Sequence, residues 1–335
     1  MPGKKKTLLL IDTFGLVYKL FYTIPSHIKA PDGRPVNAAF GLARILLKIY
    51  REMKPDYLVA AMESHTPTFR HEEYADYKGH REKIPDDLRD QLPIVEEILE
   101  AMGIAPTFKD GFEADDIIGT LSRTAAGRGL DVGVITGDRD LLQLVDDSVR
   151  ILISQKGITD LDSYDREKVK EKQDVYPEQI PDKKGLEGDS SDNIPGVPGV
   201  GKKTAAKLLA EYENLEKLYG SLDEIKSKAL RSKLEENREQ AFLSRRLGEI
   251  VCDVELEADL DDFAFSDIDL KKLAAVFRKY AFKSLLEELD LDPDEMPEQE
   301  DVADQLSSCY SAICDEKELE AFVKRAEDSG RLCID

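Results

Sequence analysis

Residues 188–204 read GDSSDNIPGVPGVGKKT. Asp189 and Asp192 lead in, a Gly/Pro turn follows, and Lys202 and Lys203 close the run. A plain loop needs no such order of charge. Carboxylates beside a tight turn suit a metal site, and glycines followed by cations suit a phosphate. The rest of the chain is read outward from that pairing.

Upstream, apolar runs alternate with helical periods. TLLLID (7–12), YLVAAM (57–62), DVGVIT (131–136) and RILIS (150–154) read as buried strands, and GITDLDSY as a short edge strand. NAAFGLARILLKIYREM (37–53), DDLRDQLPIVEEILEAMG (86–103, broken or kinked at Pro93) and EADDIIGTLSRTAAG (113–127) carry helical spacing. Strand–helix alternation predicts right-handed crossovers and a parallel sheet. The α/β part is expected over residues 1–165. Helical patterns dominate 166–290, then an acidic, Pro-containing linker covers 291–305. A strand–helix–strand remnant over 306–335 is too short to be a domain of its own.

The chain has 335 residues, 41% of them hydrophobic and 35% charged, with net charge −22. Such acidity argues against a nucleic-acid partner unless the acid is unevenly placed. It is uneven: ten acidic residues and no Lys or Arg lie between Glu287 and Asp304. Cys252, Cys309, Cys314 and Cys333 form no CxxC pair, so neither zinc nor a disulfide framework is expected. No segment approaches a membrane span, and the short apolar run at the start is no signal peptide. A soluble cytoplasmic protein is expected.

Carboxylates mark the strand ends. Asp12 closes the first strand, Glu63 follows the second, and Asp138 and Asp140 follow DVGVIT. Parallel strands share one carboxyl edge, where ligands bind at the switch point. Glu113, Asp115 and Asp116 open a helix: Glu113 and Asp116, three apart, share a face, while Asp115 points about 100° away from Asp116. Asp189 and Asp192 complete the set if the helical part folds back on the sheet. So many like charges destabilise one another unless cations sit among them. Oxygen ligands without His or Cys suit Mg²⁺ or Mn²⁺, and two such ions form the site type used for phosphodiester hydrolysis. The four histidines show no ligand spacing.

TFRHEEYADYKGHR (68–81), FEADDIIGTLSRTA (112–125), ITGDRDLLQLV (135–145) and GDSSDNIPGVPGVGKKTAAKLL (188–209) resemble, in order and spacing, the 5′ nuclease domain of bacterial DNA polymerase I, in the flap endonuclease superfamily. The resemblance covers residues 7 to about 290. It implies a PIN-like parallel-sheet domain with a helical arch over about 68–95, then a helix–hairpin–helix over about 188–212. It implies metal ligation by Asp12, Glu63, Glu113, Asp115, Asp116, Asp138, Asp140, Asp189 and Asp192, with Asp12, Asp116 and Asp138 at the catalytic centre beside Lys78 and Arg81. DNA contacts carry over to Lys19, Arg70, Tyr77, Lys78, Arg81, Gly196, Gly199, Gly201, Lys202, Lys203 and Thr204, and a K⁺ ion to the glycine turn. A solvated helix face competes as the reading for Arg70 and Lys83, and a surface lysine competes for Lys19.

The implied activity is Mg²⁺-dependent removal of 5′ flaps and RNA primers from nicked or primed duplex in replication and repair, by a bacterial monomer. RLCID resembles the first strand of a proofreading 3′–5′ exonuclease domain, so the chain reads as part of a longer polymerase. Two positions depart from the family: Glu63 replaces Asp, and Thr13 replaces Gly. They keep open a second reading, a weakened DNA-binding module that positions the polymerase; a shorter PIN-like ribonuclease would lack the 188–209 segment.

Overall fold

A computed structural model describes residues 5–64, 66–81, 83–154 and 161–291. The linker and the strand–helix–strand remnant, with Cys309, Cys314 and Cys333, lie outside the described residues. The first strand, β1 (Thr7–Asp12), sets the architecture. Its side chains alternate between two covered faces: Leu8 and Leu10 enter one core, Leu9 and Ile11 the other. That is why the run is continuously apolar rather than alternating.

The chain then forms α1 (Thr13–Thr23), α2 (Asn37–Lys48), β2 (Tyr57–Ala61), α3 (Phe69–Glu73), α4 (Asp86–Arg89), α5 (Leu92–Ala101) and β3 (Pro106–Thr107). It continues through α6 (Ala114–Gly127), β4 (Asp131–Thr136), β5 (Val149–Ser154) and β6 (Leu161–Tyr164). The expected break at Pro93 is found: α4 ends at Arg89 and α5 opens at Leu92, with Pro93 in its first turn, where the missing N–H costs nothing.

The sheet runs β3-β2-β1-β4-β5-β6, parallel except for the expected edge strand β6. From β1 the chain steps outward to β2 and β3, then returns to the other side of β1 at β4. The switch point therefore lies between the carboxyl ends of β1 and β4, where Asp12 and the loop carrying Asp138 stand.

Helices follow: α7 (Arg166–Gln173), α8 (Ile180–Glu187), α9 (Lys202–Tyr212), α10 (Leu215–Gly220), α11 (Lys228–Glu236), α12 (Arg238–Gly248), α13 (Leu270–Lys279) and α14 (Lys283–Glu288). One core joins α6 and one sheet face to apolar residues of α7 through α12. The other joins the opposite face to α1, α2, α5, α13 and α14. The helical half is thus divided differently from the single 166–290 body expected from sequence. Phe277, Phe282 and Leu285 return to the α2–α5 side, with Phe40 against Phe282 at 5.4 Å between ring centroids.

Candidate active site

Asp12 ends β1 and caps α1, its Oδ1 accepting from the Gly15 amide at 3.0 Å. Its Oδ2 accepts from the Thr136 hydroxyl at 2.6 Å, and that hydroxyl accepts from the Asp138 amide at 2.8 Å. Thr136, not singled out from sequence, thereby couples the two carboxylates across the switch point. Asp115 on the first turn of α6 and Glu63 after β2 face the same place. Burial, and then the charges of Asp138 and Asp12, push Asp115 well above the usual carboxylate range. Burial, and then Asp138, raise Asp12. Burial pushes Glu63 up to about 7, with Glu113 and Asp12 adding to the rise and Lys78 opposing it. Water still reaches Glu63, which softens that rise without reversing it. Its Oε2 accepts from the Ala114 amide at 3.4 Å.

A second group closes against the first. Oxygens of Asp140, Asp189 and Asp192 lie within 4.8 Å of one another. Asp140 comes from the loop after β4; the other two come from the turn between α8 and α9. Lys184, near the end of α8, bonds Asp140 and sits 2.9 Å from Asp189 Oδ2. Against the opposing effect of burial, Lys184 and Ser191 hold Asp189 down to about 2. Burial, resisted by Lys184, takes Asp140 up to about 6. Lys184 went unnoticed in the run DKKGLEG because nothing separates it there from Lys183; only its place one turn before Gly188 marks it.

Cations line the other side. Lys78 Nζ lies 2.7 Å from Glu113 Oε1, and Arg81 Nη2 lies 2.5 Å from Asp192 Oδ1. The segment bearing them is tied down at its backbone. Lys78, in the left-handed region at φ 53°, donates its amide to the Asp192 carbonyl at 2.9 Å, and the Asn193 side chain donates to the Asp76 carbonyl at 2.7 Å.

Four expectations are corrected. Arg70 is not a DNA contact: it is 2% exposed and forms a two-pronged pair with Asp116 at 2.7 and 2.8 Å. It also donates to the carbonyls of Leu247 and Glu249, locking the end of α12 to α6. Asp116 is not placed to hold a cation. It is fully buried, and its oxygens accept from both prongs of Arg70 and from the amides of Glu113 and Val251, filling the roughly four acceptor positions of a carboxylate. Tyr77 does not face a base. It is 3% exposed, packs with Ile194 and Leu247, and donates its hydroxyl to Glu113 Oε2 at 3.2 Å.

The fourth concerns Gly196. Its amide donates to Ser244 and its carbonyl accepts from Gln240, so it offers no donor to a phosphate. A Cβ there would come within 2.2 Å of the Gly188 nitrogen, which, with φ +60°, explains the glycine. Gly199, Gly201, Lys202 and Lys203 are exposed around the N-terminus of α9, and Thr204 is half-buried. Lys19 is half-buried on α1.

The two departures fit the site. Thr13 is buried as the first residue of α1, its hydroxyl donating to the Ile11 carbonyl at 3.4 Å, and its φ is not positive, so no glycine is required. Glu63 stays among the other carboxylates. The donor set is hard oxygen throughout, buried and crowded enough to raise proton affinities, and so fits divalent cations.

Two family models match the chain: the 5′-3′ exonuclease N-terminal resolvase-like domain over residues 7–174 and the 5′-3′ exonuclease C-terminal SAM fold over residues 175–271. The chain belongs to the 5′-3′ exonuclease family. DNA polymerase I of Bacillus subtilis (strain 168) is 42% identical over 301 residues, covering 90% of this chain and 34% of that protein. The Bacillus caldotenax polymerase is 43% identical over 286 residues, covering 85% and 32%. The chain thus spans about a third of the length of these curated relatives.

Solved structures share the fold at low identity. A bacteriophage T5 flap endonuclease complex with DNA and metal ions matches at TM-score 0.61 and 19% identity, over 85% of this chain and 99% of that one. The catalytic core of Rad2 in complex with DNA substrate matches at 0.56 and 18%, over 85% and 92%. This 5′-3′ exonuclease-family chain is accordingly a PIN-like nuclease with a helical SAM-fold part. Among the described residues no helix is long and apolar enough to cross a membrane.

Proposed function

We propose that this chain is a Mg²⁺- or Mn²⁺-dependent, structure-specific 5′ nuclease that removes 5′ flaps and RNA primers from duplex DNA, as the nuclease part of a DNA polymerase I. The observation that carries the reading is convergence. Beside the switch point, burial and then the charge of Asp138, from the loop after β4, raise the proton affinities of Asp12 at the end of β1 and Asp115 at the start of α6, and oxygens of Asp140, Asp189 and Asp192 gather within 4.8 Å of one another.

Asp12, Glu63, Glu113, Asp115 and Asp138 would hold one cation, and Asp140, Asp189 and Asp192 another. Bound there, such cations supply the charge that stabilises a phosphate under attack and acidify water. The protein's own work is positioning. Thr136 keeps Asp12 and Asp138 in register, and Tyr77 and Lys78 fix Glu113. Lys78 and Arg81 stand beside the carboxylates where they can grip oxygens of the cut phosphate. Lys202, Lys203 and the exposed amides opening α9 hold duplex backbone some way off, contacts that set register without reading sequence.

A labelled 5′-flap duplex tests this. Cleavage near the flap junction is expected with Mg²⁺, and none with EDTA. Failure to cut any flap or nicked duplex in Mg²⁺, or undiminished cutting in EDTA, refutes it.

A further inference from the structure

The last backbone carbonyls of a helix have no partner within it and must find one outside. At the end of α12 they find it in the sheet half of the chain. The Leu247 carbonyl accepts from Arg70 Nε at 3.0 Å, and the Gly248 carbonyl accepts from Gln143 Nε2 at 3.0 Å. The segment that follows turns extended at Glu249 and is held in the same way. Arg70 donates to the Glu249 carbonyl at 2.7 Å, the Ile250 amide donates to Gln143 Oε1 at 3.0 Å, and the Val251 amide donates to Asp116 Oδ1 at 2.9 Å.

Of these side chains, Gln143 reaches furthest into the site. It lies in ITGDRDLLQLV, three residues after Asp140, and its Nε2 also donates to the Asp140 carbonyl at 3.1 Å. A side-chain amide has two N–H donors and one acceptor oxygen, and Gln143 uses all of them between Asp140 and the end of α12. Arg70 shares the seat, but removing it strands the buried Asp116. Gln143 is neutral and half-buried, so it can be altered with less damage to the fold.

The other end of α12 holds the glycine turn. The buried Ser244 hydroxyl accepts from the Gly196 amide at 3.0 Å, and Gln240 donates to the Gly196 carbonyl. Between its ends α12 lies close on α8: a Cβ on Gly185 would stand 2.9 Å from the Ala241 carbonyl oxygen. A Cβ on Gly248 would stand 2.8 Å from Lys184 Cδ. Packing this tight leaves no room to slide. From Gln240 to Gly248 the helix spans about 12 Å, with the α8–α9 turn clamped at one end and the Asp140 loop at the other.

We propose that Gln143 is a positioning residue that sets which bond of the strand is cut: acting through α12, it fixes the offset between the α8–α9 turn and the site carboxylates. The proposal rests on the nuclease reading, in which that turn holds duplex backbone. One strand of a duplex presents a phosphate about every 3.4 Å of axis, so slack of an ångström or two at this joint brings a neighbouring bond within reach.

The test uses the 335-residue chain and a 5′-labelled flap duplex, with products resolved to single nucleotides under single-turnover conditions in Mg²⁺. The wild-type chain should cut mainly at one bond. Gln143→Met keeps the side-chain volume and removes its hydrogen bonds. It should spread cutting over adjacent bonds and slow the main cut about tenfold, with affinity in Ca²⁺ held within about twofold. Gln240→Met with Ser244→Ala frees the far end of α12 and should spread the cuts in the same way. Combined, the substitutions should slow the main cut by less than the product of their separate effects, because both act through one helix. A merely loosened fold would lose rate and melting temperature without moving the cut. An unchanged cut pattern in Gln143→Met overturns the proposal, and so does a loss confined to affinity. If Gln143→Met melts below the assay temperature, the Gln240→Met, Ser244→Ala chain decides, and sharp cutting at the wild-type bond overturns the proposal. Wild-type chain that cuts no flap defeats the nuclease reading itself; wild-type cutting beside equally sharp variants defeats only this inference.

Discussion

The carboxylates around Lys78 and those around Lys184 adjoin through Asp138 and Asp140 but are balanced differently. Asp12, Glu63, Glu113, Asp115 and Asp138 belong to the sheet and α6, and among them Glu113 pairs with Lys78 at 2.7 Å and with Arg70 at 3.7 Å. Burial first, and then their mutual charge, raises the proton affinities of Asp12, Asp115 and Glu63. Asp140, Asp189 and Asp192 straddle the joint between the sheet and the α8–α9 turn, and Lys184 and Arg81 both pair with them. There, against burial, Lys184 holds Asp189 low, while burial still carries Asp140 up to about 6. Carboxylate number alone therefore does not fix demand for a metal. The first group is under-neutralised and gains most from a dication; in the second, an arriving dication must compete with an ammonium.

The sharpest way to break this contrast is to remove a carboxylate from the first group. Asp138→Ala should lower single-turnover flap cleavage in Mg²⁺ by about 100-fold or more, while binding in Ca²⁺ persists. Turnover at the wild-type rate would take Asp138 out of the metal site. Next in size is a stability effect beneath that group. Arg70→Ala leaves Asp116 buried without its partner and should cost about 3–5 kcal/mol in urea unfolding. A loss under about 0.5 kcal/mol would return Arg70 to the surface role that its sequence context allows.

That arginine shows where sequence reading stopped. Continuous apolar strands such as TLLLID and DVGVIT can be buried in one way only, so the sheet and the carboxylates at its edge were readable. The Gly/Pro turn was readable because Gly196 and Gly199 need positive φ. Arg70 in TFRHEEY was not. A guanidinium reaching DNA and one locked to a carboxylate 46 positions away look alike in one dimension. Tyr77 inverted for the same reason. The return of α13 and α14 to the α2–α5 face was also invisible, since an amphipathic stripe states that a face is buried but not against what.

The second group is sharpened through its lysine. Lys184→Met removes the competing charge, so half-maximal cleavage should need several-fold less Mg²⁺, and the low proton affinity of Asp189 should be lost. A higher Mg²⁺ requirement would show that Lys184 assists the cation instead of opposing it. The smallest effect is expected at Glu63. Shortening it to Asp keeps a carboxylate facing Glu113 and Asp12, so turnover should stay within about threefold. Loss of activity would show that the pocket has adapted to the longer side chain.

The central claim is that these carboxylates gather at an electrostatic cost that dications remove. Glu63 and Asp140 carry folded-state proton affinities of about 7 and about 6, above their ordinary values of 4.5 and 3.8. Below those ordinary values both folded and unfolded chains are protonated, and the groups cost nothing. From those ordinary values up to the folded ones the unfolded chain ionises while the folded chain is held protonated, so stability is lost as pH rises through that window and the loss is complete above it. The most direct test is thermal unfolding of the chain from pH 5 to 8, with EDTA and with Mg²⁺. The account predicts that the gain in melting temperature from Mg²⁺ is small at pH 5 and grows steadily to pH 8. A gain that is absent, or the same at every pH, would contradict it.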